Sequence, residues 1–509
     1  MKHTSSAAQH SSQIRDIVIA GGGTAGWIAA ALLSAQPALS IRLTVIDDES
    51  GGVGVGEASI PSLLRLLRSL RVDEFEFMRA CDATWKLGIQ FVDWLQPGHT
   101  CWHMFGRCGA EIDGRDFFPF WLTDPSQSYH SFSLHYAAAI AGKSPHSPQG
   151  SNPLTQQGAY AFHMDAGKFA GWLKSLALSN GVRHVLGSML DIERDEQGHV
   201  KSLVLNNQTV ISGDLFLDCS GLTASLTSRI LPANWQSSSD RLLCDRAVVI
   251  RSMARSQIPP FTSSQALSAG WMWSIPLRNQ TGSGYVYSSQ FVNDETALDE
   301  VIAAVGRWRN PDVEPRLLQF STGRRRRFWH HNVISAGLAA GFVEPLESSG
   351  LHLIQTAVEE LLRYLPDGTC GESVQQAYNR TMARIFDEVL DFVQLHYLLS
   401  RRNEAFWQAA RSTVISAGLQ HRLQLYRETG MLDELHPAAF PDTSYYFLLA
   451  GMQQLPDRCS LLAANADQQT LREIRAEMLN QNQNMLRELP LHEEMLQRVH
   501  GTASKRMTP

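Results

Sequence analysis

The stretch IRDIVIAGGGTAGWIAAALLS, residues 14–34, constrains the chain more than any other. An apolar run gives way to three glycines and then to a small, apolar, helix-forming segment. That order predicts a buried strand, a tight turn and a helix. IRLTVIDD, residues 41–48, supplies a second strand, so residues 14–48 predict a β-α-β unit. Gly21, Gly23 and Gly26 satisfy GxGxxG at the turn, and Asp47 ends the second strand, 21 residues past Gly26. Residues this small let backbone N–H groups close on a pyrophosphate at the helix N-terminus, while the acid accepts from a ribose hydroxyl. A fortuitous glycine turn would need neither the helix nor the acid, so a dinucleotide is the predicted cofactor.

The remaining bulk properties narrow the class by exclusion. The chain has 509 residues, 44% hydrophobic and 18% charged, enough for a large core and two or three structural units of about 150 residues each. A formal charge of -6 supplies no general attraction to nucleic acid. The N-terminus MKHTSSAAQHSSQIR lacks an apolar secretory core, and no run of about 18 apolar residues predicts a membrane span. Cys81, Cys101, Cys108, Cys219, Cys244, Cys370 and Cys459 are odd in number and form no CxxC pair. Reduced thiols in a cytoplasmic enzyme are expected, with neither disulfides nor a metal.

Further along, SGGVGVGEASIPS (50–62) is a glycine-rich loop leading into a helix at LLRLLRSL. Residues 182–221 alternate short strands with turns, ending in a buried strand at Leu215–Leu217. GKSPHSPQGSNP (142–153) is the best loop candidate. Beyond Gly350 the pattern turns helical, with Ile385, Val389, Phe392, Val393, His396 and Tyr397 on one stripe. GRRRRFWHH (323–331) is a basic run with aromatics, read as a solvated or salt-bridged face. EPLESSG (344–350) has the acids and serines of a helix start, just before the run LHLIQTAVEELL. Two segments, DLFLDCSG (214–221) and NVISAGLAAGFVEP (332–345), resemble the late strand-to-turn segments of FAD-dependent aromatic monooxygenases, which favours FAD over NAD.

Several stretches together resemble the flavin-dependent tryptophan halogenase family. They are GGGTAGW (21–27), GVGEASIP (54–61), CDATWKLGIQFVDW (81–94), GWMWSIP (270–276), GLAAGFVEPLESSGLHLIQTA (337–357) and FDEVLDFVQLHYLLSRRNEAFW (386–407). The paired tryptophans followed by Ile-Pro discriminate best, because ordinary FAD monooxygenases lack them. The resemblance extends roughly over residues 14–460. It implies an α/β fold: an FAD-binding GxGxxG domain like that of aromatic monooxygenases over residues 14–360, with an inserted β-sheet. A mostly helical substrate-binding region over 361–500 follows, with flexible tails at 1–13 and 501–509.

The resemblance also implies the chemistry. Reduced FAD and oxygen oxidise chloride or bromide to hypohalous acid, which Lys86 delivers to an electron-rich aromatic such as indole, tryptophan or a derivative. Glu347 stands at the family's active-site glutamate, where it polarises the oxidant or accepts the ring proton. Ser349 and Gly350 stand at the halide-binding amides, with Ser349 where the family usually has Thr. Trp271 and Trp273 keep substrate from the flavin, and His103 and Phe105 sandwich the aromatic ring. Tyr445 and Tyr446 stand where tryptophan-specific members hold the amino-acid backbone. Met452 replaces a glutamate there, which argues against free tryptophan, since its ammonium would lack a partner. Implied FAD contacts are Thr24, Ala25, Gly56, Ala58, Met189, Leu338 and Ser348, beside Gly21, Gly23, Gly26 and Asp47. With no second dinucleotide fingerprint, a separate flavin reductase is expected to supply reduced FAD, and a homodimer is one assembly open to the chain. The rivals are an FAD-dependent aromatic hydroxylase and a non-catalytic flavin-binding protein.

Overall fold

The β-α-β unit is present as strand Asp16–Ala20, helix Thr24–Ser34 and strand Arg42–Asp47, in a computed structural model that describes residues 14–49, 56–148, 152–254, 257–366, 371–433 and 439–501. These strands lie in a six-stranded sheet with Leu215–Asp218 and Val333–Ser335 on one side and Arg183–Leu186 on the other, all parallel. Trp329–His330 closes one edge antiparallel. Strands covered on both faces have no polar side to show, which is why IVIA and LFL read as unbroken apolar runs. Register pairs Ala20 with Asp218 and Asp218 with Ser335. The turns after the three strands therefore meet at one carboxyl edge, where open α/β sheets bind ligands.

Packing at that edge explains the glycines. Gly21 has φ +118°, and a Cβ there would lie 2.3 Å from the Cys219 carbonyl oxygen. A Cβ on Gly26 would lie 1.9 Å from the Gly21 oxygen, so the helix approaches the strand only if that residue is bare.

A seven-stranded sheet carries the second half of the site. Its order is Arg316–Gln319, Arg246–Met253, Gln280–Tyr287, Gly270–Pro276, Thr262–Leu267, Gly88–Val92 and Thr100–Met104. The strand Gly270–Pro276 is buried along its whole length. Trp273 faces Gly284, where a Cβ would come within 2.2 Å of the indole ring. A third sheet joins Glu57–Ala58, Ala161–Met164 and Thr84–Lys86. Only Leu87 separates Thr84–Lys86 from Gly88–Val92, so Lys86 stands at the seam between two sheets.

After Gly350 the described residues form helices, the longest being Glu372–Leu398, followed by Gln468–Glu488. The predicted stripe of the long helix is fully buried. One hydrophobic cluster runs from Ile17 to Val499, so the flavin-type sheet and the helical region share a core.

Three expectations are refined. The loop expected at 142–153 ends at Asn152, which caps the helix Pro153–Gln157 through a capping box. The basic run is structural: Arg324 forks onto Asp387, and Arg325 turns inward over Trp235 to donate to the Ala339 oxygen. Before Gly350, Ser349 holds the cap position but its hydroxyl makes no capping bond. Pro345–Glu347 instead form a 3-10 turn, Ser348 is left-handed at φ +56°, and Glu344 and Glu347 both turn inward. The helix-start position is borne out, but its side-chain capping chemistry is not. The tail expected at 1–13, residues 50–55 of the glycine loop and residues 149–151 lie outside the described residues, as do Cys370 and 502–509; Gly501 closes the helix His492–Gly501.

Candidate active site

Alternation along Thr84–Lys86 sends Trp85 to one face and Lys86 to the other. The Trp85 indole N–H donates to Glu74 at 2.8 Å, while the Lys86 ammonium enters the interior with no exposed surface. Its Nζ donates to Ser348 Oγ at 2.8 Å and lies 5.2 Å from the Phe105 ring centroid. Burial pulls the lysine down to about 7, the Glu347 charge pulling the other way. At neutral pH the amine is therefore well populated, which an exposed lysine never achieves.

Glu347 is likewise without exposed surface. His103 Nδ1 lies 2.7 Å from one carboxylate oxygen, and His396 Nε2 lies 2.8 Å from the other. Burial pushes this carboxyl up, but the charge and hydrogen bonding of His103 and His396 outweigh it and hold the group at about 2. The other ring nitrogen of His396 lies 2.9 Å from the Phe392 carbonyl. Both its nitrogens thus lie close to oxygen atoms. Forcing a non-glycine residue into the left-handed region at Ser348 costs roughly 1 kcal/mol or more, and here it turns the serine hydroxyl onto Lys86.

Around His103 stand Phe105, Phe392, Phe440 and Phe447, at centroid distances of 5.9, 5.5, 6.3 and 6.5 Å. His103 and Phe105 meet at 84°, so a flat ring that stacks on one presents itself to the edge of the other. Tyr445 packs on Phe392 at 4.8 Å, beneath the Arg422 guanidinium at 4.2 Å. Tyr446 instead stacks on Phe118 at 3.9 Å, and its neighbour Phe447 turns towards His103. Met452 is buried and accepts a contact from the Cys101 thiol at 3.6 Å. Arg422 is held by Asp433 and Asp442. Trp271 and Trp273 lie 6.2 Å apart, and neither indole N–H has a hydrogen-bond partner.

The helix Gly350–Tyr364 begins beside this cluster. Ser349 is buried, and a Cβ on Gly350 would meet nothing within 4 Å, so open space adjoins the bare N–H groups of the first turn. Across the sheet edge, Gly23 caps Thr24–Ser34 with no side chain, leaving the N–H groups at Thr24, Ala25 and Gly26 to a ligand. Asp47 ends its strand next to His184 and receives the Glu49 N–H at 2.9 Å. Met189 follows closely, since Gly187 N–H donates to the Asp47 oxygen. Gly56 packs against Leu277, Ala58 is buried, and Leu338 is exposed on the turn where Gly337 touches Ala25. The bare turn, the free amides and the acid at the ribose position fit a flavin dinucleotide.

Sequence reasoning missed His396 as a partner of Glu347, and with it Phe392, Phe440 and Phe447. A histidine inside an otherwise apolar stripe was the available signal.

Comparison with known proteins identifies the family. The family model described as tryptophan halogenase matches residues 16–468. A tryptophan 6-halogenase of Streptomyces toxytricini is 32% identical over 89% of this chain and 92% of its own length. A flavin-dependent halogenase from Xanthomonas campestris superposes with a TM-score of 0.91 at 34% identity, covering 96% of this chain and 98% of its own. One from Brevundimonas sp. BAL3 gives 0.90 at 33%, covering 96% and 99%. The chain belongs to the tryptophan halogenase family and is a flavin-dependent enzyme.

Proposed function

We propose that the protein binds FAD and halogenates an indole-like or other electron-rich aromatic, with Lys86 as the residue that carries the halogen. The observation that carries this reading is the pair of buried groups at the sheet seam: an amine at about 7 on Ser348, and a carboxylate at about 2 between two histidines. Reduced FAD with oxygen would supply the oxidising equivalents that turn bromide or chloride into hypohalous acid. The residues Gly21, Gly23, Thr24, Ala25, Gly26 and Asp47 would hold the dinucleotide, with Gly56, Ala58, Met189, Leu338 and Ser348 completing the contacts. The amides of Ser349 and Gly350 would hold the halide at the helix N-terminus.

The neutral Lys86 amine attacks the halogen of hypohalous acid, forming an N–halogen bond and releasing water; that bond then breaks as the halogen passes to the aromatic carbon, and the nitrogen takes up a proton to regenerate the amine. Substitution leaves the ring carbon with one proton too many, and Glu347 accepts it, directly or through His103. Trp271 and Trp273 fill the space through which an aromatic would otherwise reach the flavin. His103, Phe105 and Phe447 hold the flat ring.

The substrate end is apolar. Met452 packs on Cys101, the nearby Arg422 is already paired with Asp433 and Asp442, and no acid lies from Tyr445 through Leu455. A free amino-acid head group would bury an ammonium without a partner, so indole or a derivative without that group is favoured over tryptophan. A separate reductase would supply reduced FAD.

Purified protein, a flavin reductase, NADH, FAD and bromide or chloride are incubated with indole, tryptophan and phenols, and products are read by mass spectrometry. Halogenated indole is expected. Hydroxylated product alone would replace the reading with a monooxygenase, and no product from any aromatic would leave a flavin-binding protein. Lys86→Ala should cut halogenation by ~10³-fold or more while flavin reoxidation continues.

A further inference from the structure

Glu344 stands three residues before Glu347 on the same 3-10 turn and has no exposed surface. The polar side chains turned towards it are Tyr397 from the helix Glu372–Leu398, Cys244 from the loop before Arg246–Met253, and Trp271 from the buried strand. The three donors lie near it without strict hydrogen-bond geometry at either carboxyl oxygen or at Trp271 Nε1. An ionised carboxylate left without a firm partner in such a place is costly, which favours the neutral acid. Tyr397 and Cys244, the titratable groups facing it, are themselves pushed well up by burial and stay neutral. Without a cation against it, burial raises Glu344 to about 7, the three donors opposing only in part.

The groups around Glu344 lead to the reacting centre. Trp94 lies 6.4 Å from Trp271, 5.3 Å from Tyr397 and 5.9 Å from His396. These rings make one aromatic wall, with Glu344 behind it and His396 at its far edge, 2.8 Å from Glu347. Tyr397 and His396 are adjacent on one helix, so the turn carrying the two acids is read by two consecutive side chains.

Resting on the halogenase reading above, we propose that Glu344 is a positioning residue that works as a neutral carboxylic acid, holding Trp271 and Tyr397 in the wall that ends at His396. Protonated, it fills a space lined by weak donors without leaving a charge unpaired. Ionised, it draws water or displaces the indole, and the wall between flavin and aromatic loosens. Oxidant is then lost before it reaches the ring, so flavin reoxidises without halogenating.

The test measures halogenated indole formed per flavin reoxidised, using the full-length enzyme with FAD, reductase, NADH and bromide across pH. In the wild type this ratio should hold below about pH 6 and fall several-fold above about pH 8. Glu344→Gln, isosteric and unable to ionise, should rescue the ratio at high pH. Glu344→Leu should lower it about fivefold or more at every pH, with the indole KM changed by less than about twofold, as expected when positioning rather than binding is lost. If Glu344→Gln declines with pH as the wild type does, or if the wild-type ratio is flat, the proposal is overturned. Should Glu344→Leu not fold, the Glu344→Gln pH profile decides alone. A wild type that makes no halogenated product overturns the activity itself, and is distinguishable from a wild type that halogenates but shows no Glu344 dependence.

Discussion

Glu344 and Glu347 occupy one turn, are equally buried, and carry the same functional group, yet their surroundings drive them in opposite directions. Glu347 meets two imidazoles at 2.7 and 2.8 Å and is held ionised at about 2. Glu344 meets a phenol, a thiol and an indole, and burial raises it to about 7. Burial by itself favours the neutral acid in both places; the charged neighbours decide which one keeps its proton. Two identical groups on one turn are thereby pushed apart in proton affinity.

The largest way to break that contrast is Glu347→Gln, which leaves the shape but removes the proposed proton acceptor. Halogenation should fall by ~10²–10⁴-fold in steady-state product assays, with flavin reoxidation retained. The same substitution should alter acid stability. With its folded value below the ordinary 4.5, Glu347 adds stability that is complete above about 4.5 and is lost as pH falls through about 2. That contribution is on the order of 3 kcal/mol, so the acid-induced drop in Tm should be shallower in Glu347→Gln than in the wild type.

His396→Phe sharpens the comparison next. It keeps the aromatic packing against Phe91 and Trp94 but removes one of the two groups that hold Glu347 ionised. A loss of about tenfold in kcat is expected, with the acid limb of the pH–rate profile moved upward as Glu347 becomes easier to protonate. An unmoved acid limb would mean that His103 suffices.

The smallest effect is the mirror of the first. Glu344 has a folded value above its unfolded one, so the wild type loses stability as pH rises from about 4.5 through about 7. Glu344→Gln should therefore melt on the order of a few °C higher than the wild type at pH 8, the two converging near pH 5. Thermal melts at the two pH values check this.

Much of the architecture was legible along the chain because it rests on local periods and small residues. The strand, glycine turn, helix and Asp47 could be read directly, since each glycine answers a close approach of backbone to backbone. The long helix was equally legible from its apolar stripe. EPLESSG was harder: acids and serines before a helix look the same whether they cap it or turn inward. The inward turn depends on Ser348 at φ +56° and on His103, 244 residues away in sequence from Glu347. No local pattern carries that information.

The sequence by itself determined the flavin-type β-α-β unit, the helical C-terminal region and the family, because periodicity, bare turns and motifs are properties of short segments. Tertiary structure alone decided which of two identical acids is charged, why Lys86 sits near neutrality, and that His396 belongs to the site. Those are properties of distance and dielectric, set only when the seam between two sheets, the turn before Gly350 and the helix Glu372–Leu398 come together in a space that excludes water.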